Sequence, residues 1–313
     1  MKIGVLFPGQ GSQYLGMGQE LIEAAAENRE LMTMAEEVCG LDLKKLIDGG
    51  PMEELTRNSI LQPAITITNM ICWQSLKREL GDKQVSCFAG HSLGEYSALY
   101  AAGVLRADDC MRLVAKRGSL MEREGKANPG GMRAVLGLEI AEVEQVIQDY
   151  KGPGVVTAAN HNTPQQIVLS GDMEGLDAVA PVVEEKGGKV IALNVSVANH
   201  SPLVAKAVPD FMSFMQDIEF DVPKTPVYFN VSGTTETDTA MIKDMMSRQI
   251  VSRVHWCDII STMLSEGVDT FIEVGPKTVL KGMMRKITPK GVKVTSLQCD
   301  SPKTITSCLE KLG

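Results

Sequence analysis

Apolar positions alternate between short unbroken runs, the mark of buried strands, and longer stretches with helical spacing. Lys2 to Pro8 (KIGVLFP) reads as a buried strand, and Gly9-Gln10-Gly11-Ser12-Gln13 follows as a tight loop. Residues 17–80 read as helical, with breaks near Gly49-Gly50-Pro51 and near Gln62-Pro63. A strand from Val85, a helix over Leu93 to Leu105 and a helix over Ala107 to Arg123 come next. Between Gly130 and Val197 the elements become shorter: strand Met132–Leu138, helix Ala141–Tyr150, strands Val155–Ala159 and Gln166–Ser170, helix Glu174–Lys186, strand Lys189–Val195. That βαββαβ order is the split βαβ arrangement of a ferredoxin-like unit, entered through Asn128-Pro129-Gly130-Gly131. The longer alternation then resumes with a helix over Pro202–Ile218, strand Val227–Val231, helix Thr239–Val251 and a helix around Trp256–Leu264. Strand Thr270–Val274, helix Val279–Ile287, strand Val292–Leu297 and a short closing helix complete it.

Strands alternating with helices imply an α/β core around a mainly parallel sheet covered on both faces. The expected organisation is a core of residues 1–128 and 198–313 with an inserted small subdomain, 129–197.

The junction after the second core strand carries chemistry. Gly90-His91-Ser92-Leu93-Gly94 is a G-x-S-x-G sequence between a strand and a helix, the setting of a nucleophile elbow. Glycines on either side leave room for the sharp reversal, and Ser92 is raised at a helix N-terminus, where unpaired N–H groups favour negative charge. By contrast, Gly9-Gln10-Gly11 fails as a dinucleotide fingerprint. Its third glycine would fall at Tyr14, and Pro8 interrupts the approach.

A second anomaly lies in the helix over 107–123. Cys110, Leu113, Val114, Leu120 and Met121 share one face with Arg117, which places a permanent cation in an apolar stripe. Such a guanidinium either snorkels to water along its stem, forms a structural ion pair with a protein carboxylate, or holds a substrate carboxylate.

Composition narrows the setting. The chain has 313 residues, 44% hydrophobic and 22% charged, enough for a sizeable core. A net charge of −8 argues against nucleic acid or an anionic membrane as general partner. Seven cysteines without a C-x-x-C pair read as reduced thiols, and no run has membrane-spanning length or signal-peptide layout, so a cytoplasmic protein is expected. No histidine–cysteine spacing suggests a metal site, and none is expected. A serine nucleophile needs a base. Of four histidines, His91 adjoins Ser92 and leaves the elbow in another direction; spacing does not choose among His161, His200 and His255.

Phe7-Pro8-Gly9-Gln10-Gly11-Ser12-Gln13, Gln62-Pro63-Ala64, Gly90-His91-Ser92-Leu93-Gly94-Glu95, Arg117-Gly118 and Glu273-Val274-Gly275-Pro276 together resemble the malonyl-CoA:acyl-carrier-protein transacylase family, in order and nearly end to end. The resemblance implies an α/β-hydrolase-like core with a ferredoxin-like insert. It also implies an acyltransferase that moves malonyl from malonyl-CoA to acyl carrier protein through a serine ester, with no cofactor. By position, Ser92 matches the nucleophile and His200, in Val197-Ala198-Asn199-His200-Ser201, the general base. Gln249 matches the glutamine whose main-chain carbonyl orients that histidine. Gln10 and Leu93 match the amides of the oxyanion hole, and Arg117 matches the arginine that holds the malonyl carboxylate. Gln62, Met121 and Asn160 complete the implied substrate contacts. A monomer is expected, and a basic patch of Lys281, Arg285, Lys286 and Lys290 is the expected dock for the acidic carrier.

Three positions depart from the family pattern: Glu122 after Met121, Asn199 before His200, and Ser252-Arg253-Val254-His255-Trp256 in place of a proline-containing run. The same chemistry would serve a stand-alone acyltransferase of polyketide synthesis. A hydrolase of the same fold acting on neutral acyl chains would have no use for Arg117. A catalytically dead binding subunit would have no use for Ser92 and His200.

Overall fold

The computed structural model describes residues 1–81, 83–195 and 197–313. Strand β1 (Ile3–Phe7) is buried at every position and lies at the centre of a five-stranded sheet. Helices α1 (Gln19–Ala24), α2 (Ala26–Cys39), α3 (Leu43–Gly49), α4 (Met52–Leu55) and α5 (Asn58–Glu79) precede β2 (Val85–Gly90), α6 (Gly94–Ala101) and α7 (Ala107–Ala127). The segment β3 (Gly131–Leu136), α8 (Ile140–Asp149), β4 (Val156–Thr163), β5 (Gln166–Gly171), α9 (Met173–Glu185), β6 (Lys189–Ala192) forms a separate unit. After it come α10 (Ala207–Gln216), β7 (Val227–Tyr228), α11 (Thr239–Arg248), α12 (Trp256–Ser265), β8 (Thr270–Val274), α13 (Val279–Ile287), β9 (Thr295–Cys299) and α14 (Pro302–Leu312).

The large sheet runs in the order β7-β2-β1-β8-β9 with every pairing parallel. Helices cover both of its faces, so its inner strands read as continuous apolar runs rather than alternating ones. The small sheet is antiparallel in the order β4-β5-β3-β6, the order a ferredoxin-like βαββαβ chain produces. Its helices α8 and α9 bury one face through Val143, Val146, Leu176, Val179 and Val183. Met132, Ala159 and Val168 stand in a separate cluster, and Met132 and Val168 line the cavity beside Ser92. All seven cysteines are free thiols, and no described helix is long and apolar enough to cross a membrane.

Several boundaries differ from the sequence expectation, each for a local reason. The expected break at Gln62-Pro63 does not occur. Helix α5 continues through Pro63 because the residues on both sides are buried against the core, which outweighs the missing N–H bond. Helix α6 stops at Ala101 rather than Leu105. Gly103 turns left-handed (φ 74°), and Val104 and Leu105 fold back into the core. The helix expected from Pro202 is a single 3₁₀ turn at Pro202–Val204 followed by α10. The strand expected over Val227–Val231 ends at Tyr228, where the Phe229 N–H turns to Thr234 O and Asn230 leaves the sheet.

The elbow itself is set by close backbone packing. A Cβ added at Gly94 would stand 2.1 Å from Phe7 O, and one at Gly90 would stand 2.0 Å from Gly94 C. Neither neighbour is a movable side-chain end. Gly94→Ala is expected to destabilise the protein by about 3 kcal/mol or more, because β1 and α6 must separate; a thermal or urea melt within about 1 kcal/mol of the wild type would refute the close-packing account.

Candidate active site

Residues from several helices and loops converge on the turn between β2 and α6. Ser92 adopts φ 49°, a left-handed value rare for a residue with a side chain, and so does His200 at φ 58°. The Ser92 Oγ–H donates to His200 Nε2 at 2.7 Å. On the other side of the ring, His200 Nδ1 faces two carbonyl oxygens, Gln249 O at 2.9 Å and Ser252 O at 3.0 Å. Two acceptors there require the proton on Nδ1, which leaves Nε2 as the basic nitrogen. Burial, and then the Arg117 charge, push the imidazole down to about 3. His200 is therefore a neutral base at physiological pH.

Arg117 is 2% exposed and reaches Ser92 from α7. Its NH2 group donates to Ser92 Oγ at 3.3 Å and to Gln249 Oε1 at 3.0 Å, and its NH1 group donates to Gln62 Oε1 at 2.9 Å. The guanidinium carbon lies 5.7 Å from the centre of the Tyr96 ring. Burial opposes its charge, yet among the described residues no carboxylate is in salt-bridge contact with it. Of the structural alternatives for the apolar-stripe arginine, the snorkelling stem does not fit its burial and the ion pair is absent among the described residues.

The departure at Glu122 has a local explanation. Its carboxylate turns away, accepting from Ser59 Oγ and Arg57 NH2 and pairing with Lys126. Burial alone would raise it, but these donors hold it at about 2. Ser252–Trp256 also finds a role as a strap to the small sheet. Val254 exchanges backbone bonds with Ala159 and His161, Arg253 Nε donates to Ala158 O at 2.8 Å, and Arg253 pairs with Glu144 at 2.7 Å. The strap's first residue, Ser252, is one of the carbonyls on His200, so the small sheet and the base are held by one segment.

Sequence reasoning missed Asn230 and the side chain of Gln249. Asn230 Oδ1 accepts from Ser92 N at 2.7 Å, and its Nδ2 donates to Gly90 O at 2.7 Å. Gln249 Nε2 donates to Ser92 O at 2.8 Å and to the Glu95 carboxylate. Glu95 is 1% exposed, and its other oxygen accepts from Asn230 N at 2.8 Å. Burial raises its carboxyl to about 7, against the hydrogen bonds from Gln249 and Asn230 and the charge of Arg117. The one available signal was Glu95 beside the serine motif; nothing in the spacing announced Asn230.

The remaining expected residues fall into two groups. Gln10 and Asn160 line a cavity of about 160 Å³ that also contains Ser92, His200 and Asn199. Leu93 is the N-cap residue of α6, and the N–H groups of Gln10 and Leu93 have no backbone acceptor among the described residues. The Gln10 loop is fixed by Ser12 Oγ on Gly9 O at 2.7 Å and by Lys277 Nζ on Gly11 O at 3.2 Å. Gln62 and Met121 do not line that cavity. Gln62 lies behind Arg117, and Met121 lies behind Gln62, taking its Nε2 on the sulfur at 3.3 Å. Of the other histidines, His91 donates to Asn162 Oδ1 at 2.8 Å and packs edge-on against Trp256. His161 and His255 flank Asp258, away from Ser92. No cluster of metal-ligating side chains exists among the described residues.

The acyl transferase domain family model matches residues 5–298. The malonyl CoA-acyl carrier protein transacylase of Bacillus subtilis is 36% identical over 313 residues, covering 99% of this chain and 97% of that protein. The solved malonyl CoA-acyl carrier protein transacylase of Coxiella burnetii superimposes with a TM-score of 0.94 at 31% identity, covering 100% of this chain and 98% of that one. A malonyl-transacylase solved in complex with its type II polyketide-synthase acyl-carrier protein does so equally, with a TM-score of 0.94 at 31% identity over 99% of this chain and 100% of that one. With likeness of sequence and of fold running from end to end, this chain belongs to the malonyl CoA-acyl carrier protein transacylases of the acyl transferase family.

Proposed function

We propose that this protein transfers the malonyl group from malonyl-CoA to the phosphopantetheine thiol of acyl carrier protein, through a malonyl ester on Ser92, in fatty-acid biosynthesis. The observation that carries the reading is Arg117: a buried cation with no carboxylate partner among the described residues and one donor already on the serine oxygen. A charge held in that way gains most from an anionic acyl group seated beside the nucleophile.

The steps follow from the geometry. His200 Nε2 takes the Ser92 proton as Oγ attacks the thioester carbonyl, and the imidazolium is steadied by the two carbonyls on Nδ1. The carbonyl oxygen becomes an oxyanion, for which the N–H groups of Gln10 and Leu93 are the donors we assign, each worth about 3 kcal/mol to the transition state. CoA leaves as the thiol with the proton from His200. The carrier's thiol then gives its proton to His200 and attacks the ester carbonyl; Ser92 departs with that proton. The chemistry calls on no metal or cofactor. Acetyl groups would leave the Arg117 charge unanswered, which makes discrimination a matter of an unpaired buried ion.

The carrier's route is proposed from the shape of the cleft. Val279 and Met283 of α13 line both the cavity at Ser92 and an outer cleft of about 560 Å³ that includes Lys286. Lys281, Arg285, Lys286 and Lys290 lie on or just beyond this helix, and Arg285, Lys286 and Lys290 are exposed. An acidic carrier docked there would send its pantetheine arm along the cleft towards the serine.

Five outcomes are expected. Incubation with malonyl-CoA should add one malonyl mass to the intact protein. Ser92→Ala should abolish the adduct, and Arg117→Ala should slow its formation by about 10²- to 10³-fold. An adduct on Ser92→Ala, or equal acylation by malonyl- and acetyl-CoA in the wild type, would remove the reading. By ¹⁵N NMR, the His200 ring should stay neutral with its proton on Nδ1 across about pH 5–8, where an ordinary histidine titrates; a midpoint near 6.5 would contradict the buried-base account. Lys286→Glu should raise the KM for carrier protein about tenfold while leaving acylation by malonyl-CoA intact, and an unaltered carrier KM would move the dock elsewhere.

A further inference from the structure

We propose that Glu95 is the positioning residue of this site: its carboxylate sets the orientation of the Gln249 amide, and so keeps an oxygen rather than an N–H on the acyl-selecting Arg117. The inference rests on the malonyl-transfer reading above, because it assigns how that reading's selectivity is built.

Both Glu95 oxygens accept from N–H donors, one from Asn230 N and the other from Gln249 Nε2, so the amide facing that carboxyl presents its NH₂ group. Gln249 does so, with Nε2 on Glu95 and on Ser92 O at 2.8 Å. Its oxygen is thereby turned to the other side, where it accepts from Arg117 NH2 at 3.0 Å. Rotated by half a turn, the same side chain would aim an N–H at a guanidinium and a carbonyl at a carboxylate, two repulsive contacts in a buried place. The accepting oxygens of Glu95 therefore determine the polarity of a relay that ends on the Arg117 cation.

The second oxygen of Glu95 performs a parallel task. It holds Asn230 N at 2.8 Å, and the Asn230 side chain spans Ser92 N and Gly90 O at 2.7 Å each. Ser92 is thus gripped at its N–H by Asn230 and at its carbonyl by Gln249, and both grips lead to the same carboxylate. Glu95 touches neither the serine oxygen nor the acyl cavity, so it acts through its two amides rather than as a catalytic group. Its remoteness matters as well. Separated from Arg117 by an amide, it steadies the cation without forming the ion pair that would occupy the fork.

Exchanging Glu95 for its neutral isostere separates this role from simple packing. In Glu95→Gln the new side chain can accept from Asn230 N, but it turns an NH₂ towards Gln249 Nε2. Two donors then face each other, and Gln249 is driven to the reversed orientation. Kinetics of Ser92 acylation by malonyl-CoA and acetyl-CoA should show both slowed, with the malonyl-to-acetyl ratio of kcat/KM falling at least about tenfold and most of the malonyl loss in KM. Labelling of Ser92 by a fluorophosphonate probe reports that the elbow is still formed. The reciprocal pair Glu95→Gln with Gln249→Glu restores a donor opposite an acceptor, but it places the negative charge directly on Arg117. The malonyl preference should fall below that of the single variant. A wild-type ratio in Glu95→Gln, equal losses for both acyl groups, or recovery of the ratio in the double variant would each overturn the proposal. Failure of the wild type itself to prefer malonyl would instead remove the function on which it rests.

Discussion

A positive charge kept out of water with no carboxylate in contact among the described residues is the constraint that the site is built around. Removing a guanidinium from water costs several kcal/mol even after relaxation, and a protein carboxylate would be the usual remedy. Here the compensation is spread over two amide oxygens and the face of Tyr96. The nearby acids are managed so that neither occupies the fork. Glu122 is claimed by Arg57, Ser59 and Lys126, and Glu95 is placed behind Gln249. What remains is a buried cation with dipoles around it and one donor on the serine oxygen.

The same economy of contacts governs the backbone. Left-handed conformations at Ser92 and His200 cost about 1–3 kcal/mol each, and they persist only where surrounding structure over-determines them. For Ser92 the restraint is the Gly90–Gly94 approach together with Asn230. For His200 it is the Gln249–Ser252 segment, whose continuation binds the small sheet through Arg253 and Val254. Roof, base and nucleophile are consequently parts of one hydrogen-bonded assembly rather than three loops that happen to meet.

How much of this could be read from the chain alone follows from the range of the forces involved. Both sheets and the βαββαβ insert were legible, since apolar runs and helical spacing are local signals. Ser92 was legible because its neighbours in sequence are also its neighbours in space. Arg117 could be singled out because one helix displays its own apolar stripe. Helix α5 passing Pro63 and the early end of β7 were not legible, because tertiary packing overrode local propensity at the first and the pull of Asn230 towards the elbow decided the second. Asn230 and the Gln249 side chain lie 138 and 157 residues from Ser92 along the chain. Their part in the site depends on pairings that no local pattern encodes. His200 was separable from His161 and His255 only by resemblance, for the same reason.

The absence of an acid behind His200 then follows from the charge of Arg117 rather than standing as an exception to it. In the familiar serine triad an aspartate orients the imidazole and stabilises the imidazolium. A carboxylate at that position here would lie close to a guanidinium that already donates to the same serine oxygen as the histidine accepts from. It would bind the cation, and the acyl carboxylate would find the fork taken. Two main-chain carbonyls orient Nδ1 without bringing a net charge. A cation left without an ion-pair partner among the described residues and a base oriented by carbonyls are therefore two consequences of one requirement, that no carboxylate stand at the nucleophile.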